Sequence, residues 1–182
     1  MSNILLEENG RYGLDCTKAL WASGAMHDHY VNSLHPNCLG DVDFVVETAV
    51  SLLLVEYKNA KFAPEPGEST PKTSANNVFK DQKFTQLVRK YFGSLPYLRL
   101  VGKTIKPCHY IFVVEYPNDN STSRKQLRNR LKNALPFELQ KQFGSKIKLI
   151  EAVDVVNIDE WNSHPVYGQF PLKPVKNLMP LT

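Results

Sequence analysis

The stretch at residues 40–60, GDVDFVVETAVSLLLVEYKNA, constrains the fold more than any other part of the chain. Two apolar runs, at about 41–47 and 52–58, have the length of strands and are rich in residues that favour them. The four residues between the runs suit the loop of a β-hairpin. The sequence therefore predicts two antiparallel strands in which Glu47 pairs with Leu52.

Charged residues stand at the open end of this predicted hairpin. In the same register, Asp43 lies directly opposite Glu56, and Asp41 lies opposite Lys58. Directly opposed residues project from the same face of a sheet, so these four side chains should converge. Other elements must cover the opposite face, most simply a helix. That face should carry Val42, Phe44, Val46, Leu53, Val55 and Tyr57.

Two converging carboxylates indicate a cation site, because they repel each other unless a cation lies between them. Carboxylate and backbone carbonyl oxygens suit a hard divalent ion such as Mg²⁺ or Mn²⁺. Such an ion polarises a phosphoryl oxygen and lowers the pKa of bound water. The Lys58 ammonium could position that water and offset developing negative charge. Together these groups suffice to hydrolyse a phosphodiester.

The rest of the chain reads as one continuous α/β pattern. We predict helices at about 15–34, 76–92 and 121–135, a strand at 109–117, and one strand or a pair of strands at 146–158. Local signals predict a proline-rich loop that contains Pro64, Pro66, Gly67 and Pro71, and a C-cap at Gly93. They also predict a short helix that is capped at Asn157-Ile158-Asp159-Glu160, followed by a tail along the surface.

The residues Asp43 and Glu56-Tyr57-Lys58, with an apolar hairpin between them, resemble the PD-(D/E)xK motif of restriction-endonuclease-like nucleases. The order of predicted elements over residues 14–117 also resembles the α-β-β-β-α-β core of that family. The resemblance implies an α/β fold with a mixed central sheet flanked by helices. It further implies a single nuclease-like domain over residues 1–182, with residues 118–182 as a C-terminal extension.

The resemblance also assigns roles to the motif. Asp43 and Glu56 would bind Mg²⁺ or Mn²⁺ with help from the Tyr57 carbonyl, and Lys58 would be the catalytic lysine. The proline of the family motif is absent before Asp43, which leaves Asp41 as an alternative for the aspartate. In the family, a lysine or glutamine on the next helix often supports the site. Three candidates of equal standing are Lys80, Gln82 and Lys83.

Basic residues on two predicted helices could contact phosphates. Arg124, Arg128 and Lys132 form a row at i, i+4 and i+8 on the third helix, where adjacent like charges are unfavourable unless they meet an anion. A solvated basic face explains the row equally well. The same two interpretations apply to the cations of the second helix, which are Lys80, Lys83, Arg89 and Lys90.

Composition narrows the class of protein and its cellular location. At 182 residues, with 42% hydrophobic and 22% charged residues, the chain has the profile of a single soluble domain. No apolar run could cross a bilayer, no secretory pattern opens the chain, and the three scattered cysteines suit reduced thiols. We therefore expect an intracellular protein with no membrane partner. A net charge of +4 favours an anionic partner only slightly.

A zinc site is a weaker hypothesis. His27, His29, His35 and Cys38 lie close together in the sequence, and Cys108-His109 could complete a ligand set. Their spacing matches no standard finger. The reading that accounts for most features is a metal-dependent nuclease acting on DNA or RNA. The alternatives are a non-catalytic nucleic-acid-binding module and a subunit that needs a second copy or another protein.

Overall fold

The fold is a mixed α/β structure with two β-sheets, the larger of which is flanked by helices. The computed structural model describes residues 3–59, 81–117, 119–144 and 148–178. In chain order, its strands are β1 (Ile4–Leu6), β2 (Tyr12–Asp15), β3 (Trp21–Ser23), β4 (Phe44–Glu47), β5 (Leu52–Asn59), β6 (Cys108–Glu115), β7 (Ile150–Val156) and β8 (Leu172–Pro174). Its α-helices are α1 (Met26–Ser33), α2 (Asp81–Leu100), α3 (Ser121–Ala134), α4 (Phe137–Gln142) and α5 (Ile158–Ser163).

The larger sheet, as far as the chain is described, has the spatial order β3-β4-β5-β6-β7. β3, β4 and β5 are antiparallel neighbours, whereas β5, β6 and β7 run parallel to one another. Parallel neighbours need crossover connections, and α2 and α3 lie in the two connections. The smaller sheet is antiparallel, with the order β1-β2-β8.

The hairpin predicted from the sequence is confirmed. Glu47 pairs with Leu52, and Phe44 pairs with Val55. The backbone N–H of Thr48 donates to the carbonyl oxygen of Ser51 at 2.9 Å, which closes the four-residue loop. The hairpin therefore has the register on which the convergence of the charged residues depends.

Each face of the larger sheet is covered by a separate core. The helix-side core joins the sheet to α1, α2 and α3, and it includes Tyr30, Leu54, Leu87, Tyr91, Tyr110 and Leu127. The small-sheet core joins the opposite face to the smaller sheet and α5, and it includes Leu14, Phe44, Leu53, Val55, Tyr57, Trp161 and Leu172. Val42 was predicted on the face of Phe44 and Tyr57 but lies in the helix-side core. It precedes the first residue of β4, so strand alternation does not govern its direction.

The predicted helix at 15–34 is wrong in its first half. β2 ends at Asp15, and Trp21 begins β3, which pairs with β4 through Trp21 and Glu47. Only Met26–Ser33 is helical. Pairing with β4, which lies much later in the chain, satisfies the backbone of this segment and overrides its helical apolar pattern.

Helix α2 continues past its predicted end. Gly93 was predicted to be a C-cap, but the helix runs through Gly93 and Pro96 to Leu100. A glycine is needed at position 93 for another reason: a Cβ there would overlap the carbonyl oxygen of Gly40. The predicted start of this helix, at residues 76–80, and the proline-rich loop before it lie outside the described residues.

The predicted surface tail is also wrong. Phe170 and Leu172 are buried in the small-sheet core, and Leu172 pairs with Leu14 of β2. Apolar side chains at alternate positions allow this proline-containing segment to serve as an edge strand, where the missing N–H of proline is tolerated.

The remaining predicted elements are present within the described residues. The strand at 109–117 is β6, the helix at 121–135 is α3, and the strand at 146–158 is β7 alone. Asn157 and Glu160 form the capping box that starts α5. From β3 to β6 the order is β-α-β-β-α-β, so α1 follows the first strand of the larger sheet, whereas the predicted order placed a helix before the strands.

Among the described helices, none has both the length and the apolar character needed to cross a membrane.

Candidate functional site

The structure brings Asp43 and Glu56 together at the open end of the hairpin, and Lys90 of α2 lies beside both. The Lys90 Nζ is 2.8 Å from Glu56 Oε2 and 3.8 Å from Asp43 Oδ1. Glu56 follows Leu52 and Leu54 on the face of β5 that α2 covers, so its side chain is buried. One ammonium group therefore contacts a carboxylate from each strand of the hairpin.

Asp43 is held by the neighbouring strand. Its Oδ2 accepts a hydrogen bond from the backbone N–H of Tyr57 at 2.7 Å. β4 begins one residue later, at Phe44, so the backbone pairing of β4 with β5 does not reach Asp43. The Asp43 side chain accepts the hydrogen bond from β5 in its place. A strand residue points its N–H and C=O to the same edge. The Tyr57 carbonyl therefore faces the side on which Asp43 lies.

Helix α2 fixes the segment that leads to Asp43. The backbone N–H of Val42 donates to Ser94 Oγ at 3.3 Å, and that hydroxyl donates to the Lys90 carbonyl oxygen at 2.7 Å. Farther back, Gly40 packs directly against Gly93 of the helix. The helix that supplies the ammonium therefore also positions the aspartate.

Burial makes the carboxylates difficult to ionise. Burial first, and then the Asp43 carboxylate, raises the pKa of Glu56 to about 8, against the opposing effect of Lys90. Burial also raises the pKa of Asp43, although Lys90 and the Tyr57 N–H oppose the shift. Burial lowers the pKa of Lys90, but the two carboxylates together raise it above its ordinary value. Near neutral pH the Glu56 carboxyl can therefore hold a proton.

The oxygen donors of this site bear on whether it could hold a hard divalent cation. Asp43 and Glu56 offer carboxylate oxygens, and Tyr57 offers a backbone carbonyl on the same side; these are ligands that Mg²⁺ and Mn²⁺ favour. An ion bound to both carboxylates would take the position in which the Lys90 ammonium now contacts them. Within the described ranges, no three His, Cys, Asp or Glu side chains are grouped so that they could hold a metal ion. A metal site here would therefore depend on the backbone carbonyl and on water for its further ligands.

Asp41, the alternative aspartate, has a different partner. Its carboxylate is 3.3 Å from His27 Nδ1, and its charge acts on Asp43 and Lys90 from the edge of the site. Of the two aspartates, Asp43 is the one that shares the Lys90 ammonium with Glu56.

Lys58 is exposed, and it lies on the same face of β5 as Glu56, two residues farther along the strand. Its charge helps to lower the pKa of Glu56, although burial outweighs it. Three residues of the next helix were predicted as candidates to support the site. Gln82 and Lys83 are exposed, and Lys80 lies outside the described residues.

Sequence reasoning missed Lys90 as the partner of the carboxylates and treated it only as one of several surface cations. A signal was nevertheless present in the sequence. Leu87, Tyr91 and Ser94 are spaced as one face of a helix and are all buried, and position 90 lies on that face between them. A lysine on the apolar face of a helix is a candidate for an internal ion pair.

The predicted phosphate-binding row divides into two parts. Arg124 is buried, with its guanidinium ion-paired to both Asp119 and Glu160. Arg128 and Lys132 are exposed on α3. Arg128 lies 3.7 Å from an acidic side chain of β7, and Lys132 lies over an aromatic ring of α4. Arg124 therefore serves the interior of the fold, and two cations of the row face outward.

In the part of the chain that the structure describes, the histidines and cysteines of the zinc hypothesis form no group that could hold a metal ion. His27 contacts Asp41, and His29 stacks on Tyr97 with ring centroids 5.6 Å apart. Cys38 is exposed, whereas Cys108 is buried.

Comparison with known proteins identifies no relative of this chain. No protein-family model, curated protein or solved structure matches the chain. The resemblance to PD-(D/E)xK nucleases therefore stays a prediction from the motif residues of the sequence.

Proposed function

We propose that the chain is a metal-dependent nuclease with a restriction-endonuclease-like core, and that it hydrolyses phosphodiester bonds of DNA or RNA. The observation that supports this most is the convergence of Asp43 and Glu56, with Lys58 two residues beyond Glu56 on the same face. Burying neighbouring carboxylates is unfavourable for folding. Their placement together is understandable if they bind a cation that takes part in a reaction.

Each residue has a chemical role in this proposal. Asp43, Glu56 and the Tyr57 carbonyl would hold Mg²⁺ or Mn²⁺, which polarises a phosphoryl oxygen and lowers the pKa of bound water. The exposed Lys58 ammonium would stabilise the negative charge that develops on the phosphoryl group. Asp43 keeps its orientation through the hydrogen bond from the Tyr57 N–H.

The exposed cations of α3 supply a surface for the nucleic-acid backbone. Arg128 and Lys132 point outward, and α3 is linked to α2 by an ion pair of 2.9 Å between Arg130 and Asp81. A phosphate backbone bound along α3 would therefore lie beside the helix that carries Lys90. Such contacts bind nucleic acid without reading its sequence.

A cleavage assay tests the proposal. Single-stranded, duplex and branched DNA and RNA should be cut in the presence of Mg²⁺ or Mn²⁺ and remain intact with a chelator. We expect Lys58→Ala to lower the rate at least about 100-fold, because it removes a charge that acts in the transition state. Calorimetric titration should show that this variant still binds Mn²⁺, since Lys58 is not a ligand.

A matched control is Lys18→Ala, which removes an exposed lysine from the loop between β2 and β3 and should cut at the wild-type rate. Glu56→Ala should lose both cleavage and Mn²⁺ binding. If wild-type protein binds no Mn²⁺ and cuts none of these substrates, the proposal is wrong.

One observation favours a second candidate, a nucleic-acid-binding module without catalysis. The Lys90 ammonium already lies between the carboxylates, as it would in a site whose acidic pair has only a structural role. This candidate predicts salt-dependent binding of nucleic acid that Lys58→Ala leaves intact, and no cleavage.

A further inference from the structure

The Asp43–Glu56 pair already has a counter-ion. The Lys90 ammonium reaches an oxygen of each carboxylate, at 2.8 Å and 3.8 Å. The Glu56 side chain is 8% exposed and that of Lys90 is 29% exposed, so water screens the contact only partly. A divalent ion that bound both carboxylates would have to stand close to this ammonium.

The lysine can move, but the backbone that carries it is fixed. Gly40 packs on the helix at positions 89, 90 and 93, and Ser94 ties Val42 to the same turn. The four-carbon side chain of a lysine is flexible, in contrast. The ammonium can therefore swing away from the carboxylates without displacing either of them.

We propose that Lys90 sets the divalent-ion requirement of the Asp43–Glu56 site, because its ammonium is the resident counter-ion and must leave before Mg²⁺ or Mn²⁺ binds both carboxylates. This inference rests on the proposed metal-dependent function. Without metal, the Lys90 ammonium keeps the site folded and closed to a divalent ion. The site then opens to an ion only above the concentration at which that ion displaces the ammonium.

Calorimetric titration with Mn²⁺ at one fixed pH tests the inference. Lys90→Met should bind Mn²⁺ at least about tenfold more tightly than wild type, because it removes a positive charge from the ion's position. A proton would also bind more tightly to the pair without Lys90, but a divalent ion carries twice the charge and gains more. Lys90→Arg, which keeps the charge, should bind no more tightly than wild type.

Two controls make the titration interpretable. Thermal unfolding without metal establishes that each variant is folded. Glu56→Gln should weaken Mn²⁺ binding both alone and in combination with Lys90→Met, which shows that the ion is bound at this site.

A second measurement follows the lysine itself in wild-type protein. Acetylation by an amine-reactive reagent, mapped by mass spectrometry, should be slow at Lys90 without metal and faster when Mg²⁺ is saturating. Lys141, an exposed lysine on α4, should react at one rate under both conditions.

The outcomes separate this inference from the proposed function. If neither wild type nor Lys90→Met binds Mn²⁺, the metal-dependent function fails and the inference fails with it. If both bind, with Lys90→Met equal to or weaker than wild type, only the role of Lys90 is wrong. Tighter binding by Lys90→Met together with metal-dependent labelling of Lys90 supports it.

Discussion

Glu56 is the residue whose surroundings should most affect how the protein responds to pH. Burial and then the Asp43 carboxylate raise the pKa of Glu56 from 4.5 to about 8. In the unfolded chain, this carboxyl loses its proton near the lower value. Between the two values the folded state therefore holds a proton that the unfolded state has released, so the free energy of unfolding falls as pH rises.

We expect Glu56→Gln to remove most of this fall, because the amide has no proton to lose. Urea unfolding at several pH values between about 5 and 8 would give the free energy of unfolding. The slope of this free energy against pH can then be compared between variant and wild type. Glu138→Gln, at an exposed position of α4, should keep the wild-type slope. A Glu56→Gln protein whose stability falls as steeply as wild type would show that Glu56 ionises normally.

At the scale of single elements, the site depends on how closely α2 approaches the segment before β4. Gly93 lies within the helix, and any side chain there would overlap the Gly40 carbonyl oxygen. At an ordinary position within a helix, alanine is more favourable than glycine by about 1 kcal/mol. At position 93 the contact with Gly40 should make alanine less favourable than glycine.

We expect Gly93→Ala to lower the free energy of unfolding by at least about 2 kcal/mol, because the segment carrying Asp43 must move away from the helix. The matched control is Gly24→Ala, since a Cβ at Gly24 would have no neighbour closer than 3.5 Å. Chemical denaturation of both variants decides the question. If Gly93→Ala is as stable as wild type, the two segments pack less closely than the structure indicates.

Helix α3 offers a test of which cations contact nucleic acid. Replacing Arg128 and Lys132 together by glutamine should reduce the slope of log affinity against log salt by roughly 1 to 2, because up to two phosphate contacts are lost. Arg124→Gln should leave that slope unchanged, since Arg124 is buried against Asp119 and Glu160. It should instead lower the free energy of unfolding by about 3 kcal/mol, because it leaves the largely buried Asp119 carboxylate unpaired.

Fluorescence anisotropy with a labelled oligonucleotide, at several salt concentrations, gives the slope for each variant. An unchanged slope in the double variant would identify the exposed part of the row as a solvated face with no role in binding.

For the whole molecule, local patterns predicted the elements whose structure is decided locally. The hairpin register followed from the length of its loop, and α5 followed from its capping residues Asn157 and Glu160. The segments around Trp21 and Leu172 were misjudged, because each forms a strand only by pairing with a distant part of the chain.

The same distinction applies to the candidate site. The proximity of Asp43 to Glu56 could be predicted, since both belong to one hairpin. Lys90 could not be assigned to them, because its position depends on how α2 lies across the larger sheet.

The smaller sheet has a consequence for the order in which the protein folds and opens. It joins β2 near the start of the described chain to β8 near its end, and closing so long a loop is entropically costly. We expect the amides of Asp15 and Val175, which bond across this junction, to exchange hydrogen faster than that of Val113 in β6, an interior strand of the larger sheet. Hydrogen exchange measured by NMR would reveal the order, and equal protection at all three would contradict it. Opening at this junction uncovers the face of the larger sheet that lies away from Glu56, so a partly unfolded chain could keep its acidic pair assembled.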